Sequence, residues 1–240
     1  MPSPVTELVR GLRDLKIATT PFVLIALIAA AAYAFLQIAD EMSEAELDGF
    51  DRTLLLAFRR PDDLAVPLGP PWFHEVMAEL TALGGFPLLT LIVGIVVGYL
   101  LIARMFGPAL FITIAIVSGT AVSHLLKLAY DRPRPDLVER LVSVHTASFP
   151  SGHAAMSAVV YLTLASLIVR LVDSTAIRIY VVAVAVALTV SIGISRIYLG
   201  VHWPSDVIAG WAFGVAWSSL CLLVAGGLRY MRNRDRAQRP

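Results

Sequence analysis

The chain has 240 residues, 58% of them hydrophobic and 15% charged, with a mean hydropathy of +0.76. That balance excludes an ordinary soluble domain, whose core could not hide so much apolar side chain. A net charge of +1 argues against a nucleic-acid partner, and a single cysteine, Cys221, excludes an intrachain disulfide.

Residues 1–17 form a short basic start with Arg10, Arg13 and Lys16, and a first apolar run over 18–38 is long enough to span a bilayer. Ala32-Tyr33-Ala34 imitates a signal-peptidase site, but the run is long for a signal peptide, so the segment is read as a retained anchor. Residues 40–85 are the one substantial polar stretch. Ser43 with Glu46 predicts a capping box, heading an amphipathic helix with Leu47, Phe50, Leu54, Leu55 and Phe58 on one face. Such a helix would lie in the membrane interface or cap a bundle. Pro67, Pro70 and Pro71 interrupt it, and a second short helix is predicted from Trp72 to Leu83, stopping at Gly84-Gly85.

Five more apolar runs follow at 86–103, 108–129, 154–170, 179–199 and 207–228. The expectation is an all-α polytopic membrane protein with six spanning helices in one domain over 18–228, and a basic tail at 229–240. Gly119 with Ser123, and Gly210 with Gly214, provide small residues that let helices approach closely in lipid.

Basic residues predict the orientation. With the N-terminus inside, the inner segments hold Arg10, Arg13, Lys16, Arg104, Arg170, Arg178, Arg229, Arg232, Arg234, Arg236 and Arg239, 11 of the 19 Lys and Arg. Only Glu7, Asp14, Asp173 and Asp235 of the 18 acidic residues fall there. Both termini are therefore expected in the cytoplasm, with loops 40–85, 130–153 and 196–206 on the outer face.

Those last two loops concentrate polar groups beside the bilayer, where ionisable side chains are costly and mark function. Lys127 closes the third span, and Pro133 and Pro135 hold Arg132 and Arg134 in an extended loop. Alone, this cluster is equally well read as an interfacial anchor. Ser151 is a plausible N-cap in Phe149-Pro150-Ser151-Gly152-His153, which puts the amides of Gly152 and His153 at a helix N-terminus suited to an anion. The stretch Ser195 to Asp206 sets His202 four residues before Asp206, so the carboxylate can reach one ring nitrogen and leave the other free to attack. A metal site is disfavoured, since the outer loops hold no thiol and cations crowd both histidines. Lys127, Arg134 and Arg196 suit a phosphate instead.

Together the three clusters resemble the type 2 phosphatidic acid phosphatase family, which is related to the vanadium haloperoxidases. The family pattern is Lys, six residues, Arg-Pro; then Pro-Ser-Gly-His; then Ser-Arg, five residues, His, three residues, Asp. It is matched by Lys127, Arg134, Pro135, Pro150, Ser151, Gly152, His153, Ser195, Arg196, His202 and Asp206, with the resemblance covering roughly residues 86–228.

The resemblance implies that His202 is the nucleophile forming a phosphohistidine, that Asp206 orients it, and that His153 protonates the leaving oxygen and then activates water. Lys127, Arg134, Ser151, Gly152 and Arg196 would hold the phosphoryl oxygens, without a metal or cofactor. The implied partner is a lipid phosphate or lipid pyrophosphate, of the phosphatidic acid, phosphatidylglycerol phosphate or undecaprenyl pyrophosphate type, in a bacterial cell membrane. Two rivals remain: a phosphotransferase using the same phosphohistidine, and a non-enzymatic lipid-binding or transport bundle, which has no need of two histidines and a matched aspartate. His74, His124 and His145 are read as structural or interfacial, His145 being the only one of the three that could touch substrate, and Trp72, Tyr198 and Trp203 as an aromatic belt.

Overall fold

Apolar segments that meet lipid must satisfy their backbone polar groups internally, and here they do so as helices. The computed structural model describes residues 4–142, 144 and 146–237. Along them run α1 (Pro4–Ser43), α2 (Asp48–Leu56), β1 (Arg59–Arg60), β2 (Asp63–Pro67), α3 (Pro71–Ala82), α4 (Phe86–Ile102), α5 (Phe106–Tyr130), α6 (Gly152–Leu171), α7 (Thr175–Tyr198) and α8 (Pro204–Ala237).

Thr20–Ser43 of α1, α5, α6, α7 and Pro204–Asp235 of α8 are each long and apolar enough to cross a membrane. The expected span at 86–103 differs. α4 has 17 residues, about 26 Å at the helical rise, against a hydrocarbon core of about 30 Å. It qualifies only jointly with α3, from which it is bent by 47°. Glycine at the bend serves packing: a Cβ on Gly84 would stand 2.4 Å from Cγ2 of Ile192 on α7.

Two further expectations for residues 40–85 are corrected. Ser43 does not cap a helix; it ends α1, its hydroxyl donating to the Ala39 carbonyl at 2.7 Å. A serine can bond the carbonyl one turn back as readily as an amide ahead. α2 starts later, at Asp48, behind Leu47, which makes no side-chain cap. Nor is the chain wholly α, because β1 and β2 pair antiparallel, Arg59 with Pro67 and Arg60 with Asp63. Pro61 breaks the helical run there, and Arg60 closes the turn on Asp62 at 3.0 Å.

α1 packs along α8, and α6 sits among α5, α7 and α8. The small residues act as expected. A Cβ on Gly214 would lie 2.3 Å from that of Ala158, and one on Gly210 would lie 2.8 Å from the Ser151 carbonyl. Gly119 admits the Trp217 indole, whose Nε1 donates to the Ala115 carbonyl at 3.0 Å, and Gly193 admits Trp211, bonded to the Thr189 carbonyl at 3.0 Å. Phe35, Tyr130 and Phe149 form an aromatic cluster where α1, α5 and the start of α6 meet. Leu91, Ile95, Leu110, Ile114, Ile179 and Val186 point outward, as lipid-facing positions do.

The segment between the first two apolar helices caps this bundle. Leu55 and Asp51 are buried, and Phe58 meets the Tyr198 ring edge-on at 6.1 Å, while Phe50 and Leu54 stay exposed.

Candidate active site

The three polar clusters meet at one end of the bundle, and the α2 segment closes over them. The loop between α7 and α8 turns at Gly200 (φ 72°), where an added Cβ would lie 2.7 Å from the Arg59 guanidinium and 3.0 Å from the Glu139 carbonyl. That turn delivers His202 at 1% exposure, directly before Pro204 opens α8.

Asp206 stands in the first turn of α8 and does two things. Its Oδ2 accepts from the backbone amide of Trp203 at 2.9 Å, the reaching-back half of a capping box. The same oxygen lies 3.3 Å from Nδ1 of His202 and accepts a hydrogen bond from the Ser148 hydroxyl. Oδ1 accepts from Arg132 at 2.7 Å. On the far side of the imidazole, Nη1 of Arg134 lies 3.2 Å from Nε2. A guanidinium only donates, so Nε2 is the acceptor and Nδ1 carries the proton shared with Asp206. This is the tautomer that leaves Nε2 with a lone pair facing outward.

Arg134 is braced by the carbonyls of Thr146 at 2.7 Å and Val201 at 2.6 Å. Lys127, in the last turn of α5, donates to the Ala147 carbonyl at 2.8 Å. Gly152 gives Lys127 room, since a Cβ there would already touch Cε at 3.4 Å. Ser151 caps α6 by accepting from the Ala154 amide at 3.5 Å. Its hydroxyl is thus turned to the helix and is buried, so the serine shapes the first turn from behind. Arg196 is held by the Thr81 hydroxyl at 2.9 Å, and its Nε has no hydrogen-bond partner among the described residues. Burial pushes Arg134 below its ordinary value. His202 is pushed well below its own, first by burial and then by Arg134, Arg196, Lys127 and His153, so the imidazole is neutral and its Nε2 unprotonated.

Lys127, Arg134, Gly152, His153, Arg196 and His202 face one cavity of about 750 Å³. Its other wall is apolar and comes from α4, α5 and α6, including Phe86, Leu89, Val93, Val117 and Met156. The site is therefore an amphiphilic pocket, cationic at one end and greasy along its length. Asp206 is fully buried behind His202. Among the described residues, no three His, Cys, Asp or Glu side chains form a group that could hold a metal ion.

Several participants were not anticipated. Ser148, Asp51 and Thr81 bond to site residues from outside the motifs, and Arg132, placed in the loop by sequence, bridges Asp206 to Asp51. Asp51 did carry a signal: it is a carboxylate on the apolar face of α2, one turn from both Leu47 and Leu55. His124, expected to be structural or interfacial, lines the cavity one turn before Lys127. His74 lies beside the Tyr198 ring, 6.4 Å between centroids. His145 falls outside the described residues.

The PAP2 superfamily model matches residues 108–229. The chain is 32% identical over 154 residues to phosphatidylglycerophosphatase B of Bacillus subtilis, covering 63% of this chain and 74% of that protein. It is 39% identical over 123 residues to a lipid A 1-phosphatase of Rhizobium johnstonii, covering 48% of this chain and 45% of that one. A crystal structure of a transmembrane PAP2 type phosphatidylglycerolphosphate phosphatase from Bacillus subtilis superposes with a TM-score of 0.71 at 28% identity, covering 85% of this chain and 94% of that one. With its three motifs drawn together around one cavity, the chain belongs to the PAP2 superfamily.

Proposed function

We propose that this protein hydrolyses a lipid phosphate or lipid pyrophosphate through a phosphohistidine on His202. One observation carries the reading: Nε2 of a buried, Asp206-bound His202 faces a cavity that is cationic where the phosphate would sit and apolar along the rest. An amphiphile fits both halves, whereas a soluble sugar phosphate uses only one. The phosphatase names of the relatives support the same substrate class.

In the first step the Nε2 lone pair attacks phosphorus and the bond to the lipid oxygen breaks. His153 gives a proton to that leaving oxygen. Asp206 stabilises the charge that develops on the imidazole. The arriving phosphoryl group displaces the Arg134 donor from Nε2, and that donor turns to a phosphoryl oxygen. Lys127, Arg196 and the first-turn amide of Gly152, set by the Ser151 cap, hold the others. In the second step His153 takes a proton from water, hydroxide attacks phosphorus, the N–P bond breaks and inorganic phosphate leaves. The guanidinium and ammonium groups supply the counter-charge that a metal supplies elsewhere, so the reaction is read as metal-independent.

The same reading makes α3 and α4 a sixth, bent crossing, puts both termini in the cytoplasm, and sets the site at the outer face with residues 40–85 above it. The test is phosphate release by the purified protein in detergent, with chelator, from a panel of phosphatidic acid, phosphatidylglycerol phosphate and prenyl pyrophosphate. Release from at least one lipid that is lost in His202→Ala is expected. Activity abolished by chelator and restored by a divalent cation would refute the metal-free mechanism.

A further inference from the structure

Asp51 lies outside the residues matched by the family model, yet it is 1% exposed and directed at the base of the candidate site. Its Oδ1 accepts from the Ser205 backbone amide at 2.8 Å, and its Oδ2 accepts from the Ser205 hydroxyl at 2.6 Å and from Nη2 of Arg132 at 2.8 Å. Arg132 in turn donates from Nη1 to Asp206 at 2.7 Å and to the Ser205 hydroxyl at 2.8 Å. An unbroken chain of polar contacts thus runs from α2 through Arg132 and Asp206 to Nδ1 of His202.

Charge gives that chain a direction. Two buried carboxylates share one guanidinium, leaving one net negative charge beside the imidazole. Without Asp51, Arg132 would neutralise Asp206 by itself. We infer that Asp51 is a positioning residue for the reaction at His202, holding Arg132 and the start of α8 so that Asp206 presents its negative charge to the nucleophile. The inference rests on the proposed role of His202. A cap alone would account for the bond to the Ser205 amide, an orphan donor of the first helical turn. It would not account for a second oxygen committed to Arg132.

The informative variant is Asp51→Asn, which keeps an acceptor for the Ser205 amide and leaves Arg132 paired to Asp206. With the Asp51 charge gone, the groups facing His202 are Asp206 and Ser148, with Lys127, Arg134, Arg196 and His153 opposing. His202 should become less basic, and the phosphohistidine harder to form. Per mole of folded enzyme, kcat should fall about 10- to 100-fold, the range for outer-shell partners. KM should change little, and the acid limb of the pH profile should move to lower pH. The double variant Asp51→Asn/Arg132→Met restores one net negative charge at Asp206, so it should lose far less than the product of the two single losses.

Wild-type kcat and acid limb in Asp51→Asn, or losses that simply multiply, would overturn the inference while the His202 reading stands. Activity that survives in His202→Ala would overturn that reading and this inference with it. If Asp51→Asn does not fold, Arg132→Lys decides, since it keeps the charge but loses the fork that joins the two carboxylates. A reduced kcat at unchanged KM is expected there, and wild-type kcat would overturn the inference.

Discussion

Arg134 and His202 meet through Nη1 and Nε2 at 3.2 Å, and this contact selects the tautomer whose Nε2 carries a lone pair and no proton. Lysine at position 134 could not hold the carbonyls of Thr146 and Val201 and still reach the imidazole and a phosphoryl oxygen. Arg134→Lys is therefore expected to lower kcat/KM by about 100-fold or more, as loss of a preorganised oxyanion donor does. Steady-state kinetics on the preferred lipid checks this.

Asp206 is expected to matter for rate more than for binding. Asp206→Asn keeps a side chain of the same shape, and Arg132 retains Asp51 as its partner. Losing the carboxylate should cost about 10³- to 10⁴-fold in kcat, by analogy with orienting aspartates elsewhere, with a much smaller change in KM. The two parameters measured on one lipid decide it.

The lowered pKa of His202 has a stability consequence with a definite sign. The unfolded chain takes up a proton near the ordinary histidine value of about 6.5, while folded His202 does not. Its share of stability is intact above that value and is lost as the pH falls toward the folded pKa. Thermal unfolding in detergent should show Tm falling between about pH 7.5 and 5.5. His202→Gln should show a shallower fall over the same range.

The apolar wall predicts tail-dependent kinetics. Val117→Trp, on the α5 side of the cavity, should raise KM for a long-chain lipid phosphate by about tenfold, corresponding to roughly 1.4 kcal/mol. Hydrolysis of a small soluble aryl phosphate should be little changed. Equal effects on both substrates would place the tail elsewhere.

Helix contact is tested by a pair of glycines in α8. Gly214→Ala forces a Cβ to 2.3 Å from that of Ala158, whereas a Cβ on Gly227 meets nothing within 4 Å among the described residues. The first should cost about 1–3 kcal/mol and lower Tm in detergent. Gly227→Ala should leave Tm unchanged.

The site was legible where its chemistry is local. Lys127 to Arg134, Ser151 to His153 and His202 to Asp206 are each close in sequence, so they stood out as three polar clusters, and the family resemblance implied their roles. Asp51 stood out only as a carboxylate on an apolar helix face, and its partner was not legible, because Ser205 is 154 residues away. Thr81 reaches Arg196 across 115 residues and was hidden in the same way. Hydropathy located the apolar runs and Gly84-Gly85 marked the break between α3 and α4, but the 47° angle that joins the two as one candidate crossing was not legible. Ser43 misled because the same hydroxyl serves an N-cap or a preceding carbonyl equally well.

The central claim is that phosphorus is bonded to Nε2 of His202 during turnover. Rapid quench of the wild-type enzyme with radiolabelled lipid phosphate, followed by peptide mapping, tests it most directly. An acid-labile, base-stable phosphate on His202 is predicted, appearing before phosphate release and absent from His202→Ala. Label on a different residue, or full turnover with no labelled protein at any quench time, would contradict it.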